Sequence, residues 1–196
     1  MSKNYWIIAD SHWGHSNIIN LCDRPFHDVK MMNDYMLMRW NQVVKERDIV
    51  YHLGDMFWTE KTALEILPQL KGEIHLILGN HDRNWKRVYN RLQRSPLNPL
   101  SNLIIEERDI VTISEPIKAI LCHYPLLSWN GAAHGVLHFA GHTHEKCKSE
   151  GQRVNICVEN IDYTPINLNT LIGYEQQVKD YYNILDLIKA IQEKNG

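Results

Sequence analysis

The sequence predicts an α/β fold organised as a four-layer αββα sandwich, with two stacked sheets and helices outside them. Three observations predict it. Five short apolar runs each stop directly at a polar, chemistry-bearing residue, the pattern of buried strands that deliver side chains from their C-terminal ends. Amphipathic helical stretches separate several of these runs. Three further strand-like runs exceed what one small doubly wound sheet needs, and a second sheet would use them.

Residues 5–9 form the first run and stop at Asp10. Residues 28–46 then place Val29, Met32, Met36, Trp40 and Val43, with Arg47 just beyond, at spacings of three and four, which predicts a helix with one apolar face turned to the core. Residues 48–53 lead to Gly54-Asp55, a second helix is expected over 60–70 with its stop near Pro68 and Gly72, and residues 74–78 lead to Gly79-Asn80. From residue 83 to 105 there are five basic residues and no acidic one. On a helix Arg83, Arg87, Arg91 and Arg94 share one face, while Trp85, Val88 and Leu92 share another that would pack it down. Residues 104–105, 110–113 and 154–157 are the further strands, 118–122 leads to His123, and 136–140 leads to Gly141-His142. A closing helix is expected from about residue 175, through Val178, Tyr181, Leu185, Ile188 and Ile191.

At 196 residues the chain has the length of one domain, 1–196, with a substantial core. Hydrophobic residues make up 44% and charged residues 22%, ordinary values that exclude a disordered or fibrous chain. A net charge of -2 gives no whole-chain attraction to nucleic acid. The N-terminus lacks the apolar core and small-residue cleavage site of a secretory signal, and no stretch approaches the roughly 18 apolar residues of a membrane span. The expectation is a soluble cytoplasmic protein with no membrane partner. Cys22, Cys122, Cys147 and Cys157 have neither C-x-x-C spacing nor the density of a disulfide framework, so reduced thiols are expected.

The informative feature is an ordered set of blocks: Asp10-Ser11-His12, Gly54-Asp55, Gly79-Asn80-His81-Asp82, a lone His123, and Gly141-His142-Thr143-His144. Each alone is weak, because D-x-H and G-D occur by chance and a lone histidine is more often packed or solvated. Together they offer carboxylate, amide and imidazole donors and no cysteine, a set suited to two divalent ions, manganese first, with iron, zinc, nickel or magnesium as alternatives. Such a pair assists attack on a phosphate ester.

These five blocks resemble the signature of the calcineurin-like metallophosphoesterase superfamily over roughly the first three quarters of the chain. The resemblance implies the same αββα sandwich, with two mixed sheets flanked by helices. It places one metal among Asp10, His12, Asp55 and His144 and the second among Asp55, Asn80, His123 and His142, with Asp55 shared. It implies a phosphohydrolase of a monoester or phosphodiester, working by direct attack of a metal-bridging hydroxide. His81 would be a non-ligand that protonates the departing alkoxide. Some relatives hold that histidine with a carboxylate three residues beyond the G-D aspartate. Here Trp58 stands in that place, and Asp82 is the adjacent carboxylate, so both His81 and Asp82 are candidate catalytic residues.

The opening Asp10-Ser11-His12-Trp13-Gly14-His15, with Asn17-Ile18-Ile19 and Arg24-Pro25-Phe26, resembles a subgroup of small bacterial and phage phosphoesterases. His15, Arg24 and Arg83 are candidate substrate contacts, although for Arg24 a salt bridge is the plainer option. His52 is a candidate supporting residue, and His27, His75, His134 and His138 read as structural or solvated, the last two near enough to edge the pocket. The 83–94 stripe admits a second reading, a nuclease or nucleic-acid-end phosphatase, against the plainer one of a solvated helix face. An inactive scaffold is disfavoured because such chains usually lose ligands and none is missing here. A protein phosphatase lacks a long segment for a peptide groove, and no G-x-x-x-x-G-K-[ST] loop supports a nucleotide-driven motor.

Overall fold

Runs of β-branched and aromatic residues form strands because such side chains pack well on a pleated, half-buried surface. The computed structural model describes residues 3–82, 85–92, 101–146, 149–181 and 183–195. In chain order the elements are β1 (Tyr5–Ile8), α1 (Ile18–Leu21), α2 (Val29–Val43), β2 (Ile49–His52), α3 (Glu60–Ile66), β3 (Glu73–Leu76), α4 (Trp85–Leu92), β4 (Leu103–Ile105), β5 (Ile110–Ile113), β6 (Ala119–Cys122), β7 (Leu137–Ala140), β8 (Arg153–Asn155), β9 (Ile166–Asn167) and α5 (Ile184–Asn195). They build two mixed sheets flanked by helices. The first has the order β4-β3-β2-β1-β9 with β9 antiparallel, and the second has the order β5-β6-β7-β8 with β5 antiparallel.

Register carries every block to the same end of the molecule. Ile8 pairs with His52 and His52 with Leu76, so the loops after β1, β2 and β3 emerge side by side. In the second sheet Leu121 pairs with Phe139, which aligns the loops after β6 and β7. The two sheets meet there. The Ala9 N–H donates to the Ile156 carbonyl at 3.1 Å and the Val158 N–H to the Ala9 carbonyl at 3.1 Å, so the continuation of β1 also pairs with the continuation of β8.

Local chemistry explains where elements begin and end. The Asp28 carboxylate accepts the Met31 N–H at 2.8 Å and caps α2, whose Met32, Met36 and Trp40 are buried. That helix ends at Val43 rather than near 46, because Val44 turns extended and the Asp48 carboxylate accepts the Lys45 N–H at 3.0 Å, bending the chain into β2. Over 60–70 the α-helix ends at Ile66, and Pro68 lies in a tight turn over Leu67–Gln69. The closing helix starts later than its apolar spacing suggests. Val178 lies in a separate short turn, Tyr181 is extended, and the Asn183 side chain accepts the Leu185 N–H at 2.9 Å to start α5.

On α4 the Trp85 ring is buried against Phe57, as the apolar face predicts. Its basic face is less available than the sequence suggests. Arg91 is paired with Glu60 at the start of α3, Arg87 is exposed, and Arg83 and Arg94 lie outside the described residues. Cys22, Cys122 and Cys157 are free thiols, and Cys147 lies outside the described residues. Among the described residues no helix is long and apolar enough to cross a membrane.

The Trp40 ring is 1% exposed and its indole N–H donates to the Lys71 carbonyl at 2.9 Å. Replacing it with alanine is expected to cost about 3–5 kcal/mol, seen as a fall in the urea midpoint at unchanged slope.

Candidate metal centre

Asp10 leaves β1 in a left-handed turn, with φ 58°, and its carboxylate is fully buried. One oxygen is engaged: Oδ2 accepts the His142 N–H at 2.8 Å and the Cys157 thiol at 3.2 Å. The other, Oδ1, is buried with no hydrogen-bond partner, and so is Nε2 of His12, 4.0 Å away. Buried polar atoms are ordinarily satisfied, so two orphaned donors of a cation aimed at one another mark a place for one. Nε2 of His144 lies 3.9 Å from the same Oδ1.

Asp55 stands between two clusters. Its Oδ1 accepts the His81 N–H at 2.8 Å, while Oδ2 lies 3.6 Å from Nε2 of His12 and 3.7 Å from Nε2 of His123. Beyond it, the Asn80 Oδ1 is 3.0 Å from Nε2 of His123 and 2.9 Å from Nδ1 of His142. Donors each about 2.1 Å from one ion stand roughly 3–3.5 Å apart, and these spacings sit close to that range. Among the described residues three groups have their donor atoms within 4.8 Å of one another: Asp10 with His12 and His144, Asp10 with Asp55 and His123, and, partly outside the motifs, Cys22 with His144 and Glu159. All seven side chains named by the sequence motifs converge here.

The surroundings aim the rings. Nδ1 of His123 donates to the Leu53 carbonyl at 2.7 Å, which leaves Nε2 free to face Asp55 and Asn80. Nδ1 of His144 donates to Glu159 at 3.0 Å, which leaves its Nε2 facing Asp10. Five of the seven residues hold left-handed backbone: Asp10, His12, Asp55, His142 and His144, with φ between 49° and 69°. Non-glycine residues seldom adopt it, and it clusters at functional sites. Two glycines permit the close approach of these loops. A Cβ on Gly141 would lie 2.2 Å from Oδ2 of Asp10, and one on Gly79 would lie 2.3 Å from Oδ1 of Asp55.

Electrostatics follow from burial. Desolvation, with the neighbouring Asp55 charge adding to it, pushes Asp10 up from 3.8 to about 7, against the pull of His144 and two hydrogen bonds. Burial and the charges of Arg24 and the other histidines depress His12 far below its ordinary value, so its ring is neutral and its lone pair available. Burial alone would depress His144, yet hydrogen bonds to Cys22 and Glu159 and the charges of Glu159 and Asp10 raise it to about 10.

The calcineurin-like phosphoesterase family model matches residues 3–146. The chain belongs to this family. As a calcineurin-like phosphoesterase it is a hydrolase of phosphoric esters, and its clustered donors suit divalent metal ions. It is 32% identical over 195 residues to an uncharacterized protein of Methanocaldococcus jannaschii, covering 94% of this chain and 98% of that one. It is 28% identical over 164 residues to the gene 66 protein of Mycobacterium phage D29, covering 74% of this chain and 80% of that protein. Its fold is similar to the crystal structure of a protein of unknown function from Aquifex aeolicus, with TM-score 0.63 and 25% identity over 88% of this chain and all of the other.

Several neighbours of the centre play parts other than those expected. Asp82, a candidate catalytic residue by sequence, is turned inward and fully buried. Its carboxylate accepts the N–H groups of Asp55 at 2.5 Å, Gly79 at 2.9 Å and Met56 at 3.3 Å, so it ties the loops after β2 and β3 together. Arg24, a candidate substrate contact, is also buried. Its guanidinium donates to the Asp10 carbonyl at 2.8 Å and the Ser11 carbonyl at 2.9 Å and pairs with Glu159 at 2.7 Å, leaving it no phosphate to reach. Arg83 lies outside the described residues.

His52 does support the first loop, with Nε2 at 2.8 Å from the Ser11 hydroxyl, and burial holds its value down at about 3. His138 is a core histidine, accepting the Leu126 N–H at 3.0 Å and donating to the Ile120 carbonyl at 3.1 Å. His134, in a turn after Gly131, is exposed. Glu159 was not found from sequence. It lies beyond the matched region and in no motif, and only the fold brings it to His144 and Arg24.

Gly141→Ala forces a methyl group against Asp10, and manganese affinity measured by calorimetry is expected to fall by about 10–100-fold with the fold retained. A second outcome concerns pH. Between 3.8 and about 7, folded Asp10 keeps a proton that the unfolded chain has released, so its contribution to the stability of the metal-free protein is present in acid and is lost as pH rises through that window. A cation needs the ionised form, so manganese should raise the melting temperature more at about pH 8 than at about pH 5. An equal rise at both would count against Asp10 as a ligand.

Proposed function

We propose that this chain is a dinuclear metal-dependent phosphohydrolase of a phosphate monoester or phosphodiester. Asp10, His12, Asp55 and His144 would hold one ion, and Asp55, Asn80, His123 and His142 the other. The observation that carries this reading is the pair of orphaned buried atoms, Asp10 Oδ1 and His12 Nε2, beside an Asp55 oxygen shared between His12 and His123. Two divalent ions there would neutralise both carboxylates, draw in a phosphoryl group and lower the pKa of the attacking water.

The chain's own contribution is to place these donors and to manage the leaving group. His81 is the candidate general acid. Its ring is half exposed, unlike the buried rings of His12 and His123, and so can meet a substrate. Its backbone is pinned by the N–H bond to Asp55, which sets the ring at the edge of the donor cluster with Nε2 3.9 Å from Oδ2 of Asp55. There it could donate a proton to the departing oxygen. Asp82 does not orient that ring, and the place three residues beyond Asp55 is taken by Trp58, whose ring centre is 5.4 Å from that of His81. Manganese remains the first expectation for the metal. The nucleic-acid reading loses ground because Arg91 is already paired with Glu60.

The direct test is a hydrolysis screen of manganese-reconstituted protein against monoesters, diesters, cyclic nucleotides and short oligonucleotides. Metal-dependent release of phosphate or alcohol is expected, and Asp55→Asn should abolish it. For the acid role, His81→Gln should retain its metal content while losing about 10²–10⁴ in turnover on alkyl esters and much less on p-nitrophenyl esters, whose leaving group needs no proton. Equal loss on both would remove His81 from that role.

A further inference from the structure

Beside His81 lies an exposed indole that the chemistry above does not use. Trp58 is 45% exposed, yet it is firmly held. Its backbone N–H donates to the Trp13 carbonyl at 2.9 Å, and its ring lies flat on His15, with centroids 3.7 Å apart and planes within 2°. His15 is itself fixed: it is 7% exposed, its N–H donates to the His12 carbonyl at 3.0 Å, and its Nδ1 is buried without a partner. The pair therefore forms a rigid two-ring wall with the imidazole as backing and much of the indole open.

The position of that wall decides what it can do. Trp58 is 5.4 Å from His81 between ring centres, and His81 is 5.3 Å from His12. An ester oxygen that takes its proton from His81 has to come within hydrogen-bond reach of that ring, so the first atoms of the leaving alcohol extend over or beside the indole. A flat ring there can stack on it, whereas a saturated ring of equal size cannot lie flat and has no complementary quadrupole.

Resting on the phosphohydrolase reading, we propose that Trp58, backed by His15, is a leaving-group subsite that selects phosphate esters whose departing alcohol carries a planar aromatic ring. The site distinguishes planarity rather than apolar bulk. Nucleotide esters belong to this class through their bases, without any need for a basic groove.

The test uses two matched non-hydrolysable probes, 2-phenylethylphosphonate and 2-cyclohexylethylphosphonate, in which a methylene replaces the ester oxygen. Binding to manganese-loaded wild type, Trp58→Ala and Trp58→Phe is measured by calorimetry, with methylphosphonate as the ring-free control. Wild type should bind the planar probe about tenfold more tightly than the saturated one. Trp58→Ala should bring the ratio close to one, Trp58→Phe should keep most of it, and methylphosphonate should bind all three alike. The proposal is overturned by a wild type without planar preference, by an alanine variant that keeps it, or by a parallel loss of methylphosphonate affinity, which would make Trp58 part of the frame of the centre. Parallel assays on benzyl phosphate and cyclohexylmethyl phosphate keep the two readings apart. Hydrolysis of neither ester would count against the phosphohydrolase, while the phosphonate ratio would still decide the subsite.

Discussion

Burying two carboxylates side by side is the constraint from which the rest of this molecule follows. Asp10 and Asp55 are both nearly inaccessible and the Asp55 charge raises the cost of ionising Asp10, an arrangement that costs several kcal/mol unless positive charge arrives. Among the described residues the His144 imidazole supplies part of that charge, pulling Asp10 down without offsetting its burial. The Arg24 guanidinium is spent on the carbonyls of Asp10 and Ser11 and on Glu159, so it fixes the path of the backbone without neutralising the Asp10 side chain. A cationic cofactor is the economical resolution, and the neutral His12 ring with its free lone pair is consistent with that.

Once the carboxylates are placed, the glycines and turns around them have a common cause. Five donors arranged on left-handed backbone cannot be reached by straight continuation of a strand, and each turn brings a loop so close to its neighbour that Gly79 and Gly141 have no room for a side chain. The hydrogen bonds behind the donors are equally specific. Leu53 and Glu159 select the ring tautomers of His123 and His144, and Asp82 sews together the two loops that carry Asp55 and Asn80.

The sandwich and the meeting of the seven motif side chains were legible because both are written locally. An apolar run ending in a short polar block needs no knowledge of distant residues, and register alone then aligns the blocks. What was not legible depends on contacts distant in sequence. Nothing near Arg24 announces that Glu159 will meet it, and the place of Asp82 next to His81 in sequence gives no hint that its carboxylate turns the other way. The start of α5 was missed for a different reason. Apolar spacing continues through Val178 and Tyr181, but the Asn183 cap decides where the helix begins.

The seam at Ala9 gives the centre a mechanical character. Asp10, His12, Asp55 and Asn80 belong to loops of the first sheet, His123, His142 and His144 to loops of the second, and Ala9, which continues β1 of the first, is hydrogen-bonded to the continuation of β8 in the second. On the proposed ligand assignment, each ion would act as a bolt through the two slabs, and its grip would report on their alignment. A repacked core side chain remote from any donor could then surface first as weakened cation retention, well before the protein unfolds.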